Sequence, residues 1–303
     1  VRLLSGTEKL QGGEGRLDGR ELSLARSSQG RLLRGGPDGH PKSGQKVGKA
    51  IDARHAARVG LSDRLTATIT SLDAEGRVRL ALAKALQAKP TMLLLDAPAS
   101  ALAPEARERF AAGLGQMVAE CGAVVVLFAG GADEAWGLGG NSIVLADGQV
   151  QQAGSATDVF GRPANLASAL TTAWPALNAV SMTMDGGRGR LADGSSLHPP
   201  EGLVLPPAGA CVLAFRADDS TLARETPGCV RFVVRAVGAE TVAGRMYERL
   251  SFGGAAWLSP LTASEPPPGA VLNLFVDRSK VMVFGGDGQA IAQPAMNRGA
   301  GAS

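Results

Sequence analysis

A strand–helix–strand unit between residues 91 and 128 is the feature that most constrains the fold of this chain. The segments "TMLLLD" (91–96) and "AVVVLF" (123–128) are continuously apolar, as is typical of strands that are buried on both faces. The segment between them, residues 104–120, carries apolar side chains at helical spacing and begins with Pro104, which suits a first helical turn. Two buried strands joined by a helix predict a parallel sheet with a right-handed crossover.

The later part of the chain consists of short alternating segments instead. "NSIVLADGQVQQAG" (141–154) predicts a hairpin around an Ala-Asp-Gly turn. Segments such as "CVLAFR" (211–216) and "VLNLFVD" (271–277), with Gly and Pro between them, predict a small antiparallel β-barrel or sandwich. We therefore expect three parts: an α/β domain at 1–170, an all-β domain at 171–291 and a flexible tail at 292–303.

The composition fits a globular protein of two domains. The chain has 303 residues, of which 45% are hydrophobic and 19% charged. A net charge of +3 is too small to indicate nucleic-acid binding, and no apolar run of about 18 residues predicts a membrane span. The three cysteines are far apart and indicate neither a zinc site nor a disulfide framework. The opening "VRLLSG" is typical of the last turns of a helix, so we expect further residues upstream.

The stretch "LLLDAPASALAP" (93–104) carries the first candidate functional residue. Asp96 ends the predicted strand, and an acid in this place often holds a metal ion, although it can also cap the turn before Pro98. Ala97, the next residue, cannot act as a general base. The stretch therefore predicts a metal-binding acid without an adjacent catalytic partner.

Several segments resemble a known family. Residues 71–110 resemble the part of ATP-binding-cassette (ABC) ATPases that carries the signature motif, the Walker B strand and the D-loop. Residues 142–169, with "RPAN", are similar to the segment after the switch histidine in sugar-importer ATPases. "VLAFRADD", "RAVGAET" and "PPGAVLNLFVDRSKVMVF" resemble the C-terminal regulatory domain of those proteins. The resemblance is to ATP-binding subunits of maltose and glycerol-phosphate importers, and it covers nearly the whole chain.

This resemblance implies a fold, cofactors and partners. The fold is an α/β domain of the P-loop NTPase type with a mostly parallel sheet, followed by an oligosaccharide-binding-like (TOBE) barrel. The cofactors are ATP and Mg²⁺, and the partners are a second ATPase subunit, identical or different, and transmembrane permease subunits. The implied location is the cytoplasmic face of the bacterial inner membrane, as a peripheral protein without a membrane span of its own.

The resemblance also assigns the nucleotide-contacting positions, and most of them are altered. Asp96 matches the Mg²⁺-binding Asp of Walker B, and Ser100 matches the D-loop serine. Ala97 stands where the family has its catalytic Glu, and Gly130 aligns with the switch His. Loss of a positioned base typically costs about 10²–10⁴-fold in rate. We therefore predict no catalytic residue in this chain.

The signature motif is changed as well. Aligned with Leu-Ser-Gly-Gly-Gln, the chain has Asp73, Ala74, Glu75 and Gly76 after Leu72. Two carboxylates here would repel a triphosphate, although Asp73 is also a good N-cap for a helix at 74–88. We expect Arg77 and Arg79, on the same helix, to be solvated.

Two further motifs of the family are not matched. The Walker A phosphate loop would precede Val1, and the glutamine loop aligns near Gly35, where no Gln stands. Without a phosphate loop, ATP binding is expected to be weak.

Three functions remain open at this point. The first is a catalytically silent ATPase-like subunit of a bacterial sugar or polyol importer that works in assembly with an active ATPase. The second is an ordinary ATP-hydrolysing subunit whose Walker A segment lies outside this sequence. The third is a stand-alone sensor whose β domain binds a small molecule or a regulatory protein.

Overall fold

A computed structural model describes most of the chain as two compact units, Val1–Leu138 and Gly139–Ser303. Each unit is described by itself. The described ranges are 16–17, 20–21, 30–34, 44–119, 121–136, 138–199, 203, 205–223, 227–242, 244–261 and 265–292. The predicted helix end at the start of the chain, the Gly35 position and almost all of the predicted tail lie outside these ranges.

The first unit is an α/β structure around a parallel sheet. Strands β3, β4 and β5 pair in that order and in parallel, and Leu95 lies opposite Leu33 on one side and Leu127 on the other. This confirms the predicted parallel sheet. The elements of this unit are β1 (Arg16–Leu17), β2 (Arg20–Glu21), β3 (Gly30–Arg34), α1 (Val47–Ala50), α2 (Ala53–Arg58), α3 (Ala74–Gln87), β4 (Met92–Asp96), α4 (Pro104–Val118), β5 (Val124–Phe128) and α5 (Ala132–Trp136).

The core of this unit forms where helices α3 and α4 pack on the sheet. Leu93 and Leu95 of β4 are fully buried with Leu82 of α3 and with Phe110 and Leu114 of α4. Burying each such side chain stabilises the fold by about 1.5–3 kcal/mol. The continuous apolar pattern of β4 follows from its central place in the sheet, because neither of its faces is open to water.

The ends of α3 and α4 follow from their sequences. The carboxylate of Asp73 accepts a hydrogen bond of 2.7 Å from the Gly76 amide and so caps the first turn of α3. Helix α4 begins at Pro104, as predicted, because proline has no N–H to leave unpaired at this position. Both predicted helices are confirmed to within two residues at either end.

The second unit begins with a hairpin and two short helices. Strands β6 and β7 are antiparallel, and Asp147 and Gly148 connect them with φ angles of 50° and 73°, which suits an Asp-Gly turn. This confirms the predicted hairpin. The elements are β6 (Asn141–Ala146), β7 (Gln149–Ser155), α6 (Ala156–Gly161), α7 (Leu166–Thr172), β8 (Leu177–Asp185), β9 (Arg188–Leu191), β10 (Ser196–Leu197), β11 (Gly209–Arg216), β12 (Ser220–Thr221), β13 (Cys229–Val242), β14 (Arg245–Phe252), β15 (Ala255–Pro260), β16 (Val271–Asp277), β17 (Met282–Gly285) and β18 (Ala290–Ala292).

Strands β8 to β18 form two antiparallel sheets, which confirms the predicted C-terminal all-β region. One sheet has the order β10-β9-β8-β11-β17-β18 and the other the order β12-β16-β13-β14-β15. Trp257 is 1% exposed and lies 4.4–5.3 Å, between ring centroids, from Phe215, Phe232 and Phe252. This aromatic cluster fills the core, and Trp257 is therefore a packing residue.

Arg216 joins the two short helices to β11. Its guanidinium lies 3.5 Å from the centre of the Phe160 ring and donates hydrogen bonds to the carbonyls of Phe160 (2.6 Å) and Thr172 (3.1 Å). Burial lowers the pKa of Arg216 to about 10, against the opposing effect of Asp219. The hairpin and both helices lie in the second compact unit, Gly139–Ser303, and the predicted domain boundary at residue 170 stays a prediction.

Across the described residues, no helix combines the length and the apolar character that crossing a membrane requires.

Candidate functional site

The loops that follow β4 and β5 form the candidate site, because the carboxyl ends of parallel strands lie at one edge of the sheet. We call residues 97–103 the β4–α4 loop and residues 129–131 the β5–α5 loop. The Ala97 amide donates to the Phe128 carbonyl at 2.8 Å. A Cβ atom built on Gly130 would lie 3.3 Å from the Ala97 Cβ. The structure therefore places Ala97 and Gly130, two positions 33 apart in the sequence, side by side.

Ala97 has an unusual backbone conformation. Its φ angle is 42°, in the left-handed region that costs an alanine roughly 1–2 kcal/mol. Two hydrogen bonds hold it there: its amide binds the Phe128 carbonyl, and its carbonyl accepts from the Ser100 amide at 3.0 Å. The β4–α4 loop is thus fixed by backbone contacts, and its residue 97 contributes only a methyl group.

Glu134 is a further candidate site residue, and it was not predicted from the sequence. It lies on α5, is 1% exposed, and accepts hydrogen bonds of 2.7 Å from the Ala99 amide and 2.7 Å from the Gly130 amide. Each carboxylate oxygen is used by a different loop. The sequence offers little signal for this, because an acid in "ADEAW" is equally typical of an exposed helix.

Asp96 and Ser100 lie on the rim of this site. Asp96 is half-buried at the end of β4, and Ser100 is exposed in the β4–α4 loop. Within the ranges that the structure describes, no three His, Cys, Asp or Glu side chains are grouped so that they could hold a metal ion. Asp96 is therefore a single candidate ligand, and its role in Mg²⁺ binding stays a prediction.

The signature-motif equivalents form the N-terminus of α3. The Gly76 amide donates its hydrogen bond to the Asp73 carboxylate, so in this structure it is not free to bind an external phosphate. Ala74 is exposed, and a Cβ on Gly76 would lie 2.9 Å from the Asp73 carboxylate. Asp73 thus acts as a cap in this structure.

Two arginines compensate the charge of Glu75, so this carboxylate should repel a triphosphate less than the sequence suggests. Its carboxylate forms ion pairs with Arg79 at 2.7 Å and with Arg109 at 3.2 Å. Arg79 also donates to the Val59 carbonyl at 2.9 Å and is only 21% exposed. The expectation that Arg79 is solvated is therefore wrong, because the guanidinium joins α3 to the residue that follows α2.

Several polar groups of the candidate site are already engaged by other parts of the chain. The α3 N-terminus already holds its own carboxylate, Ala97 and Gly130 present no polar side chain, and Glu134 is engaged by two amides. A group that polarises water needs a free lone pair within hydrogen-bond reach of that water.

Comparisons with known proteins give a consistent class of relatives. No family model matches the chain. The spermidine/putrescine import ATP-binding protein of Spiroplasma citri is 36% identical over 108 residues, which are 36% of this chain and 31% of that protein. The Fe(3+) ions import ATP-binding protein of Streptomyces coelicolor is 28% identical over 182 residues, 54% of this chain and 52% of that protein. The xylose/arabinose import ATP-binding protein of Haloferax volcanii is 29% identical over 185 residues, 60% of this chain and 48% of that protein.

CbiO1 from Clostridium perfringens, part of the ABC transporter complex cbiONQ, is one solved structure that is similar to the chain, with a TM-score of 0.46 and 20% identity over 52% of this chain and 72% of that chain. The chain spans between about a third and a half of the length of the curated relatives it matches, which are 31%, 52% and 48% covered. Its homologues are ATP-binding subunits of importers, and this is the class of protein to which the chain is similar.

Proposed function

We propose that this chain is an ATPase-like nucleotide-binding-domain subunit of a bacterial ABC importer that is catalytically silent or strongly impaired. It acts in assembly and coupling with an active ATPase partner and with transmembrane permease subunits. The observation that carries the proposal is the pairing of Ala97 with Gly130 at the edge of the sheet, 3.3 Å apart as Cβ positions. A methyl group and a glycine stand where the resembled family places a base and a γ-phosphate contact.

The retained parts of the structure support a role in assembly. The core around β4, α3 and α4 is intact, with Leu95 and Leu114 fully buried. The loop that carries Ser100 keeps an ordered set of backbone hydrogen bonds. A packed core beside altered nucleotide-facing positions supports a subunit that serves in assembly.

Several finer points belong to the same proposal. The domains are an α/β ATPase-like part at 1–170 and a TOBE-like part at 171–291, and the location is the cytoplasmic face of the membrane. Asp96 is the metal position and residues 73–76 with Ser100 are the nucleotide-facing positions. The solute is proposed to be a sugar or a polyol. Of the relatives named above, one is named for xylose/arabinose, which supports this choice, and the other two are named for Fe(3+) ions and spermidine/putrescine.

ATP turnover tests catalytic silence directly. The purified chain is expected to hydrolyse ATP far below about 1 s⁻¹, the lower end of ordinary enzyme rates. The variant Ala97→Glu/Gly130→His should remain inactive, because a Cβ at position 130 meets both Ala97 and Glu134 closely and no phosphate site is formed by the described residues. Turnover of the wild-type chain at about 1 s⁻¹ or above would support the alternative, an ordinary ATP-hydrolysing subunit.

Partner identification tests the assembly role separately. A tagged chain purified from its native host in mild detergent is expected to bring along permease subunits and a second ATPase subunit. Recovery of the chain as a monodisperse species without membrane partners would contradict the importer role and favour a stand-alone sensor.

A further inference from the structure

One buried side chain connects the β4–α4 loop to the β5–α5 loop. Glu134 lies on α5 and is 1% exposed, and its Oε1 and Oε2 atoms bind amides 35 and 4 residues away in the sequence. One amide, of Ala99, is fully buried in the β4–α4 loop. The other, of Gly130, belongs to the β5–α5 loop.

Both contacts are of the strong kind. Hydrogen bonds between a backbone amide and a carboxylate are shorter and about twice as strong as neutral ones, and both distances here are 2.7 Å. Because the carboxylate is planar and rigid, its two oxygens keep a fixed separation. A shift of one loop therefore displaces the acceptor of the other loop.

The other side-chain link between these elements is weaker. Arg107 of α4 approaches Asp133 of α5 at 3.6 Å, and Nε of Arg107 and Oδ1 of Asp133 have no hydrogen-bond partner among the described residues. Arg107 also reaches the Leu102 carbonyl at 3.3 Å. These contacts bring the two helices together, but their long distances leave Glu134 as the main polar connection between the loops.

The packing around Gly130 leaves little room for any side chain at this position. A Cβ at this position would lie 3.3 Å from the Ala97 Cβ and 3.4 Å from Oε2 of Glu134. The distance to Ala97 is tighter than an ordinary contact and the distance to Glu134 is at the lower limit of one, so Ala97 would have to give way. Glycine at 130, alanine at 97 and the carboxylate at 134 thus fit one another as a set.

We infer that Glu134 is a positioning residue that couples the β4–α4 loop to the β5–α5 loop, so that the two loops move as one element. If the proposed function holds, an interaction that displaces Ser100 on the first loop is transmitted to Gly130 on the second, without any chemistry at the site. The coupling itself is a property of this chain alone and does not depend on ATP.

Native-state hydrogen exchange of the full chain, measured by NMR, tests the coupling. In the wild-type chain the Ala99 and Gly130 amides are expected to exchange with the same opening free energy across a series of low urea concentrations. In Glu134→Gln both should exchange faster by about tenfold or more, because a side-chain NH₂ replaces one of the acceptors. The Gly130 amide proton should also move to higher field, since it no longer binds a carboxylate.

Two further variants separate coupling from simple destabilisation. Glu134→Asp keeps the charge but is shorter by about 1.5 Å, so it cannot reach both loops and should also accelerate the exchange of both amides. Glu105→Gln, an exposed acid in the first turn of α4, is the matched control and should change neither amide.

The inference is overturned if Ala99 and Gly130 exchange independently in the wild-type chain. It is also overturned if Glu134→Gln accelerates the amides of β4 as much as the two loop amides, because Glu134 would then only stabilise the unit as a whole. Since no nucleotide is present in these measurements, their failure is distinct from a failure of the proposed silent subunit.

Discussion

Glu134 in the first unit and Glu248 in the second are the buried acidic residues of the described chain, with exposures of 1% and 0%. Both oxygens of Glu134 accept short hydrogen bonds from backbone amides. Oε1 of Glu248 accepts from the Gly238 amide at 3.0 Å, whereas its Oε2 has no partner among the described residues. An unsatisfied buried polar atom costs about 1–3 kcal/mol, so Glu134 should contribute more to stability than the equally buried Glu248.

The surroundings explain this difference. Glu134 lies where two loops leave the edge of a parallel sheet, and such loops carry amides that no strand satisfies. Glu248 lies on β14 opposite Ser259, next to the bulge that shifts the register of β13 between Ala236 and Gly238. The bulge frees one amide of β13, and Glu248 satisfies it, but the second oxygen stays buried without a partner among the described residues. A buried acid therefore stabilises a fold only as far as the backbone leaves donors for it.

The largest expected effect comes from truncating the two acids in parallel. Glu134→Ala leaves two amides without acceptors, one of them fully buried, and should lower the free energy of unfolding of the first unit by about 2–4 kcal/mol. Glu248→Ala should cost the second unit less than about 1 kcal/mol, because the lost hydrogen bond is offset by removal of the unpaired oxygen. The measurement is urea unfolding followed by hydrogen-exchange mass spectrometry of peptides from β4 and β11.

Two outcomes would contradict the expected difference in stability between the Glu134 and Glu248 variants. Equal losses of stability in both units would mean that the two carboxylates contribute equally. Oε2 of Glu248 would then have a hydrogen-bond partner. A loss in the first unit that is also produced by Glu108→Ala, an exposed residue of α4, would indicate a general effect of helix charge instead.

The sequence was sufficient for the elements that depend on local pattern. The continuous apolar run of β4, the Pro104 start of α4 and the Asp-Gly turn of the β6–β7 hairpin are each decided by neighbouring residues. Asp73 as a cap was likewise predictable, since Gly76 follows at the required spacing of three residues.

The site was only partly predictable, because its key contacts join distant segments. Ala97 and Gly130 were identified by resemblance, but their direct approach depends on two parallel strands being neighbours. Glu134 gave no signal, since its partners are backbone amides, which every residue other than proline carries. Arg79 was misassigned because the Val59 carbonyl to which it donates lies on another segment, as does Arg109, which pairs with the same Glu75.

A smaller effect is expected when only the charge of Glu248 is removed. Glu248→Gln keeps the acceptor for the Gly238 amide and replaces an unpaired charged oxygen by a neutral group, so it should raise the free energy of unfolding by about 1 kcal/mol. The measurement is the urea midpoint of the β11 and β13 peptides. The matched control is Glu265→Gln, an exposed acid that accepts from the adjacent Ala239 amide at 3.1 Å and should change stability little.

The sign of the stability change in Glu248→Gln decides whether Glu248 differs from Glu134. An increase in stability shows that Glu248 is a cost that the second unit carries. A decrease of more than about 1 kcal/mol shows instead that the charge is stabilised, and the contrast with Glu134 then disappears.

The smallest effect concerns Asp219, a half-buried acid of the second unit. Burial raises its pKa above the ordinary value of 3.8, while Lys280 and Arg216 act in the opposite direction. Because the folded state holds this proton more tightly than the unfolded chain, its contribution opposes folding above the raised pKa and vanishes below 3.8. Asp219→Asn should therefore be slightly more stable than the wild-type chain at pH 7, by less than about 1 kcal/mol, and the difference should shrink as the pH falls toward 4. A difference that stays constant over this range would show that Asp219 titrates normally, and the cost of burying acids in the second unit would then rest on Glu248 alone.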